Sequence, residues 1–226
     1  MISLRLNEIC NLVDKNSIVA DIGTDHGIIP MMLSKNCISK KIIATDISKN
    51  SLEKLEKKLI LNDNITNIET RVSDGLDCLD EFEVDTIIIS GMGGILIKEI
   101  LERNLNIAKS ANYLILSPNN SLDVLRKILY ENNFFIEKEK DVFENQKYYQ
   151  ILKVKRGKDF YKNEYEYLYG KLLIKNKSEN LKLFLENEIK KYESILEKIN
   201  IESKDNERIL ELNGLIDEIR GILSEF

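Results

Sequence analysis

Five short segments carry acids, glycines or amides at the ends of apolar runs: ADIGTDHG at 20–27, IIATDIS at 42–48, RVSDGL at 71–76, TIIISGMGG at 86–94 and LILSPNN at 114–120. Parallel strands look like this when their C-terminal ends build a ligand crevice. The first of these turns reads Asp21-Ile22-Gly23-Thr24-Asp25-His26-Gly27. A dinucleotide site would carry GxGxxG here, with a pyrophosphate on the helix N-terminus. Instead an acid precedes the first glycine and Asp25 takes the place of the second, so two carboxylates would repel a pyrophosphate. They suit a ligand with an ammonium group and a sulfonium, and S-adenosylmethionine has both. In that reading Gly23 lets the backbone approach the methionine part. Asp46, with Ile47 beside it, ends the second strand where an acid accepts ribose hydroxyls. Asp74 and Gly75 follow the third, Asp74 being placed for the adenine amino group. Gly91, Met92 and Gly93 form the floor beneath the transferring methyl. Any one of these residues alone reads more readily as a turn or N-cap; their order at successive strand ends carries the assignment.

The elements that must position them can be read from spacing. Residues 1–15 form an amphipathic helix, with Leu4, Leu6, Ile9, Leu12 and Val13 on one face. Strands are expected at 18–21, 41–46, 68–72, 84–90 and 113–117. The fourth is nearly all β-branched, so it should be central and covered on both faces. Helices are expected at 27–36, with Pro30 tolerated in its first turn, after a cap at Ser48 or Asn50 with Leu52, Leu55 and Leu59 inward, at 95–103, and at 122–132. Residues 134–142 and 148–154 read as an antiparallel pair turning at 144–147. The expected fold is an α/β doubly wound sheet of Rossmann type with an antiparallel edge hairpin. The composition changes near Gly157. Leu181, Phe184, Leu185, Ile189, Tyr192, Ile195, Leu196 and Ile199, then Ile209, Leu212, Ile216, Ile219 and Leu223, give two apolar helices across a polar break at 201–206. The aromatic stretch 160–169 docks this hairpin or forms a further helix. The expected domains are therefore 1–156 for the ligand and 157–226 for a helical, coiled-coil-like hairpin.

A chain of 226 residues with 43% apolar content has enough for one core and an appendage. No apolar run approaches the roughly 18 residues of a membrane span. The N-terminus lacks the apolar stretch of a signal peptide, so a cytoplasmic location is expected. Cys10, Cys37 and Cys78 are scattered and form no CxxC, which argues against disulfides, zinc or any other metal site. The net charge of −5 does not advertise a nucleic-acid binder. A local basic face would suffice, and Lys40, Lys41, Lys54, Lys57, Lys58, Arg126 and Lys127 are candidates or else ordinary solvated surface. Residues 157–226 hold 12 Lys and Arg against 15 Asp and Glu, so the helical part is no polycationic arm.

The combination of Arg5-Leu6, D-I-G-T-D-H at 21–26, D-G-L at 74–76, G-M-G-G at 91–94 and P-N at 118–119 resembles the bacterial tRNA (adenine-22-N1)-methyltransferase family. The resemblance covers nearly the whole chain, the late helices included. Two positions depart from it: Ser117 stands where the family usually has Gln before P-N, and Ser73 where it commonly has Gly before D-G-L. The resemblance implies a class I methyltransferase that uses S-adenosylmethionine, releases S-adenosylhomocysteine, and methylates N1 of adenine 22 in the D-arm region of tRNA. It implies catalytic roles for Asp25, His26 and Asn119. Asp25 would hold the methionine amino group or accept from the adenine amine. His26, the only histidine, would stack on or bond the flipped base, or else cap the next helix. Asn119 would read an adenine edge, or else serve as a turn or N-cap residue. Arg5 would approach the cofactor carboxylate or an RNA phosphate, or else lie on a helix surface. The competing readings are a methyltransferase of the same fold acting on another RNA, a small molecule or a protein, and a non-enzymatic interaction protein that keeps the fold. A nicotinamide-dependent dehydrogenase is a weaker fit, for the repulsion given above. Nothing in the sequence sets the oligomeric state, and a monomer is compatible with it.

Overall fold

The computed structural model describes residues 3–202 and 206–226, the side chains of 200–202 and 206 excepted. The polar break expected at 201–206 falls largely outside them. The chain divides into two compact units, Met1–Leu168 and Tyr169–Phe226.

The first unit holds a seven-stranded sheet. Its strands are β1 (Ser17–Ile22), β2 (Ser39–Asp46), β3 (Ile68–Val72), β4 (Thr86–Ser90), β5 (Tyr113–Ser117), β6 (Phe134–Glu144) and β7 (Lys147–Arg156), in spatial order β3-β2-β1-β4-β5-β7-β6. β1 to β5 are parallel and β7 returns antiparallel to β5. β4 is the middle strand, with Ile87, Ile88 and Ile89 fully buried, as its β-branched sequence requires. Helices α1 (Leu4–Asn11), α2 (Ile28–Lys35), α3 (Lys49–Ile60), α4 (Gly94–Arg103), α5 (Leu105–Ser110) and α6 (Leu122–Glu131) complete the unit. Pro30 lies in the first turn of α2, where its missing N–H leaves no bond unmade. Ser48 stands at the N-cap of α3, which buries Leu52 and Leu55; Leu59 is half-buried.

Two expectations need correction. The N-terminal helix runs only from Leu4 to Asn11, capped by Ser3, whose side chain accepts from the Leu6 N–H. It buries Ile9 and Cys10, Leu12 and Val13 are buried just past its end, and Leu4 is exposed. The first turn is fastened instead to the hairpin: Glu144 accepts from Ser3 Oγ at 2.8 Å and from the Leu4 N–H at 2.7 Å. The hairpin itself is longer than expected. Asn145 and Gln146 both have positive φ, 50° and 63°, giving a two-residue turn that matches strand twist and lets pairing close at Glu144↔Lys147. β7 pairs with β5 only from Val154 to Leu152. The β6–β7 ribbon therefore continues past the end of β5, beyond the C-terminal edge of the parallel strands.

Residues 157–168 belong to the first unit, later than the compositional change at Gly157 suggests. Tyr161 and Tyr167 stack with ring centroids 4.1 Å apart and meet Tyr130 of α6 edge-on. Arg126 Nη1 donates to the Tyr167 carbonyl at 2.7 Å. A π-helical turn follows at Glu166–Gly170. The second unit contains α7 (Lys171–Lys175), α8 (Glu179–Glu202) and α9 (Asn206–Leu223). α8 and α9 run antiparallel, with Arg220 bonded to Glu193 at 3.0 Å and Lys177 reaching the Phe226 carbonyl at 3.5 Å. Leu181, Leu185, Leu212, Ile216, Ile219 and Ile222 are buried, whereas Leu223, expected inward, is half-buried.

Candidate active site

The order β3-β2-β1 on one side and β4-β5 on the other places the topological switch between β1 and β4. Open α/β sheets bind ligands there, outside the carboxyl ends of the strands. Asp21, near the end of β1, is 3% exposed. Burial pushes its carboxyl up to about 7, and the charge of Asp46 adds in the same direction. No cation among the described residues offsets this. After β1 the backbone turns at Gly23, φ +70°, where a Cβ would overlap the Met92 methyl. The positive φ disfavours a side chain there, while the Met92 methyl, the far end of a flexible side chain, could move aside. Asp46 ends β2, and its Oδ1 accepts from the Ser48 N–H at 2.7 Å. Ile47 beside it is 71% exposed, an apolar surface next to an acid.

Across the switch, the Gly91–Gly94 loop and Asn119 form one bonded unit. The Asn119 N–H donates to the Met92 carbonyl at 2.8 Å, and its Nδ2 donates to the Gly91 carbonyl at 2.6 Å. Arg5 Nη1 donates to Asn119 Oδ1 at 3.4 Å, and its guanidinium lies over the Tyr149 ring, 4.8 Å from the centroid. Thus Arg5 docks on the loop rather than standing free on its helix. Gly94 starts α4 so close to the next connection that a Cβ would overlap the Ser121 carbonyl oxygen and the Asn120 backbone. Backbone cannot retreat as a flexible side chain can. Gly94→Ala is expected to lower stability by about 1–3 kcal/mol and to slow the reaction by displacing Asn119; an unchanged urea midpoint and rate would show that the loop yields freely.

The remaining candidates sit further out. Asp25 and His26 pair at 3.2 Å (Oδ1 to Nε2) on the exposed turn. His26 does not cap α2, whose N-cap is Gly27 with no side-chain bond. Lys58 instead holds the His26 carbonyl at 2.8 Å. Asp74 bridges to Arg103 Nη1 at 3.0 Å, which holds its carboxyl below the usual range. Gly75 lies against the same Arg103 and Ile100. Arg103, Tyr149 and Asn120 were not among the residues the sequence singled out. Ser117 is fully buried and donates to the Gln150 carbonyl at 3.2 Å, so this position faces the hairpin rather than the crevice.

Residues 2–152 match the family model described as a methyltransferase domain. The tRNA (adenine(22)-N(1))-methyltransferase of Bacillus subtilis is 30% identical over 156 residues, which span 69% of this chain and 66% of that protein. A crystal structure of a Streptococcus pneumoniae protein proposed to be a tRNA (m1A22) methyltransferase superposes with a TM-score of 0.90 at 32% identity, covering 99% of this chain and 100% of the other. The chain belongs to the tRNA (adenine-22-N1)-methyltransferase family. A second Streptococcus pneumoniae structure, a complex with S-adenosyl-L-methionine, matches with a TM-score of 0.87 at 30% identity over 99% of this chain and 100% of its own. Methyltransferases of this family need a pocket for a cationic nucleoside, and the residues here fit one. Burial of Asp21, with the charge of Asp46 adding to it, has no described counter-charge, a burden that a sulfonium and an ammonium would relieve. Gly91, with no heavy atom nearer than Arg5 at 4.0 Å from its Cβ position, leaves room against the floor.

Proposed function

We propose that this protein transfers a methyl group from S-adenosylmethionine to N1 of adenine 22 in tRNA. The observation that best supports this reading is the buried Asp21, without a described counter-charge, at the β1/β4 switch that also holds the Gly91–Asn119 unit. When bound, S-adenosylmethionine supplies an electrophilic sulfonium methyl for in-line displacement by the N1 lone pair. Asp21 and Asp25 face its cationic end, and Asp46 accepts the ribose hydroxyls beside the apolar Ile47. Asp74 accepts the adenine amine of the cofactor while Arg103 holds its other side. Met92, over Gly23, and Gly91 define the floor. N1 of neutral adenine is unprotonated at pH 7, so no residue has to remove a proton before attack. The product base is cationic, and the Asn119 oxygen and the Asp25 carboxylate favour the charge that develops. His26 packs on the target base, which has to leave its stack. Alignment of N1 and methyl supplies most of the acceleration. The helical unit orients the tRNA outside the methylated arm, and the enzyme works in the cytoplasm, where its substrate is.

Unmodified tRNA transcripts with labelled cofactor test this. Label should appear as N1-methyladenosine at position 22 and vanish when that adenine becomes guanine; label elsewhere, or none with cofactor bound, overturns the substrate. Asp46→Ala should weaken cofactor binding about tenfold by calorimetry, the scale of a lost charge-assisted bond. Equal affinity would remove Asp46 from the ribose site.

A further inference from the structure

The amide of Asn119 is held at both ends by groups of opposite kind. Its Nδ2 donates to the Gly91 carbonyl at 2.6 Å and its Oδ1 accepts from Arg5 at 3.4 Å. A carbonyl can only accept and a guanidinium can only donate, so turning the amide over would lose both bonds. Arg5 is itself held, with its guanidinium 4.8 Å from the centroid of the Tyr149 ring, within cation–π range. Tyr149 stands on the part of β7 that runs past the end of β5, paired with Val142 of β6. Glu144, at the tip of the same ribbon, grips Ser3 and Leu4 and so brings Arg5 within reach of both partners. The Tyr149 hydroxyl makes no hydrogen bond among the described residues; its ring is the working part.

The fixed orientation has a chemical consequence. One lone pair of Oδ1 takes Arg5 and the other is left to accept from a ligand. Adenine offers an amino donor beside N1. Guanine offers an oxygen acceptor beside a protonated N1, which would suit a reversed amide. We infer that Tyr149, acting through Arg5, fixes the Asn119 amide so that the site selects a base carrying an exocyclic amino donor next to the reacting nitrogen. Tyr149 is a positioning residue. This inference rests on the reading of the protein as an adenine-N1 methyltransferase.

The probe is tRNA with adenine or unsubstituted purine at position 22, the purine lacking only the amino group. For the wild type, kcat/KM should fall about tenfold from adenine to purine, the scale of one lost hydrogen bond. In Tyr149→Leu the ratio should shrink below about threefold, with cofactor affinity unchanged by calorimetry. Tyr149→Phe should keep the wild-type ratio. Arg5→Met, at a half-buried position of α1, should reproduce the leucine variant if that one folds poorly. A second readout needs no turnover. In a nitrogen–proton spectrum, the Asn119 side-chain amide should be shifted from free-amide positions and protected from solvent exchange in the wild type and in Tyr149→Phe, and should move towards free-amide positions and exchange faster in Tyr149→Leu. An unchanged adenine-to-purine ratio in Tyr149→Leu overturns the inference. Equal rates on the two substrates by the wild type also overturn it, while leaving methyl transfer to tRNA standing. If no tRNA is methylated, the functional reading fails by itself, and the amide signals decide the lock: unaltered in Tyr149→Leu, they overturn it; moved to free-amide positions with faster solvent exchange, they support it.

Discussion

Asp21→Asn is expected to make the ligand-free protein more stable and the enzyme close to inactive. The carboxyl ordinarily titrates at 3.8 and is raised to about 7 in the fold, chiefly by burial. The unfolded chain therefore gives up this proton near pH 4, while the folded chain keeps it until about pH 7. Between those values the folded state binds the extra proton, so its stability falls as pH rises. Above about pH 7 the ionised, buried group costs about 4 kcal/mol relative to the protonated one. Asparagine has nearly the same shape and no charge to bury. The variant should exceed the wild type in thermal midpoint at pH 8, and the gap should close as the pH falls towards 4. The opposite effect is expected for ligand. A cation facing Asp21 binds the ionised form, so wild-type affinity for S-adenosylmethionine should weaken by up to about tenfold for each pH unit below 7. In Asp21→Asn it should be about a hundredfold weaker and lose that slope. A thermal gap that is constant with pH would show that Asp21 is not the group carrying the burden.

That buried acid was legible in the sequence because its surroundings are local. A β-branched strand runs into Asp21, and Gly23 follows at a turn that can bring backbone to a ligand. The same holds for Asp46 and for the Gly91–Gly94 loop: strand, then polar end. The sheet order follows from the same units, since right-handed crossovers leave few ways to stack five βα repeats. Tyr149 and Arg103 were hidden for the opposite reason. Each acts on the site from an element far away in sequence, Tyr149 on a ribbon whose length depends on two residues with positive φ, Arg103 at the end of α4. No periodicity marks such a residue, because its neighbours are chosen by the tertiary fold. The six-residue α5 is too short to show a helical period. Asp74 shows the limit of a motif: the acid is where the pattern puts it, but an arginine that no pattern specifies holds one of its oxygens. His26 is a further case. Its place before a helix suggested a cap, yet with φ at 55° its side chain turns to Asp25 and leaves the N-cap to Gly27.

The second large effect is expected far from the cofactor, at the Arg126–Glu139 pair. Both side chains are out of water, 0% and 1% exposed, and they meet at 3.0 Å. Arg126 also donates to the Tyr167 carbonyl at 2.7 Å and to the Gln150 side chain. Every one of its neighbours is an acceptor, but Glu139 brings the charge. Glu139→Gln leaves a buried guanidinium with neutral partners, and breaking such a pair costs about 3–5 kcal/mol. Urea unfolding should show this as a lower midpoint with the same slope. The double variant Arg126→Met, Glu139→Leu removes both charges and should be less damaging than Glu139→Gln alone, so a double-mutant cycle should return a large coupling. A Glu139→Gln protein within about 1 kcal/mol of wild type would mean that the carbonyls suffice to hold the arginine. The pair also bears on the reaction. Gln150, which Arg126 holds, is the residue after Tyr149, and its carbonyl takes the Ser117 hydroxyl at the end of β5. Weakening the pair loosens the base of the ribbon whose Tyr149 packs against Arg5. In a Glu139→Gln protein kept folded by low temperature, methyl transfer should fall while cofactor affinity is retained, because Asp21, Asp46 and Gly23 belong to strands on the other side of the switch.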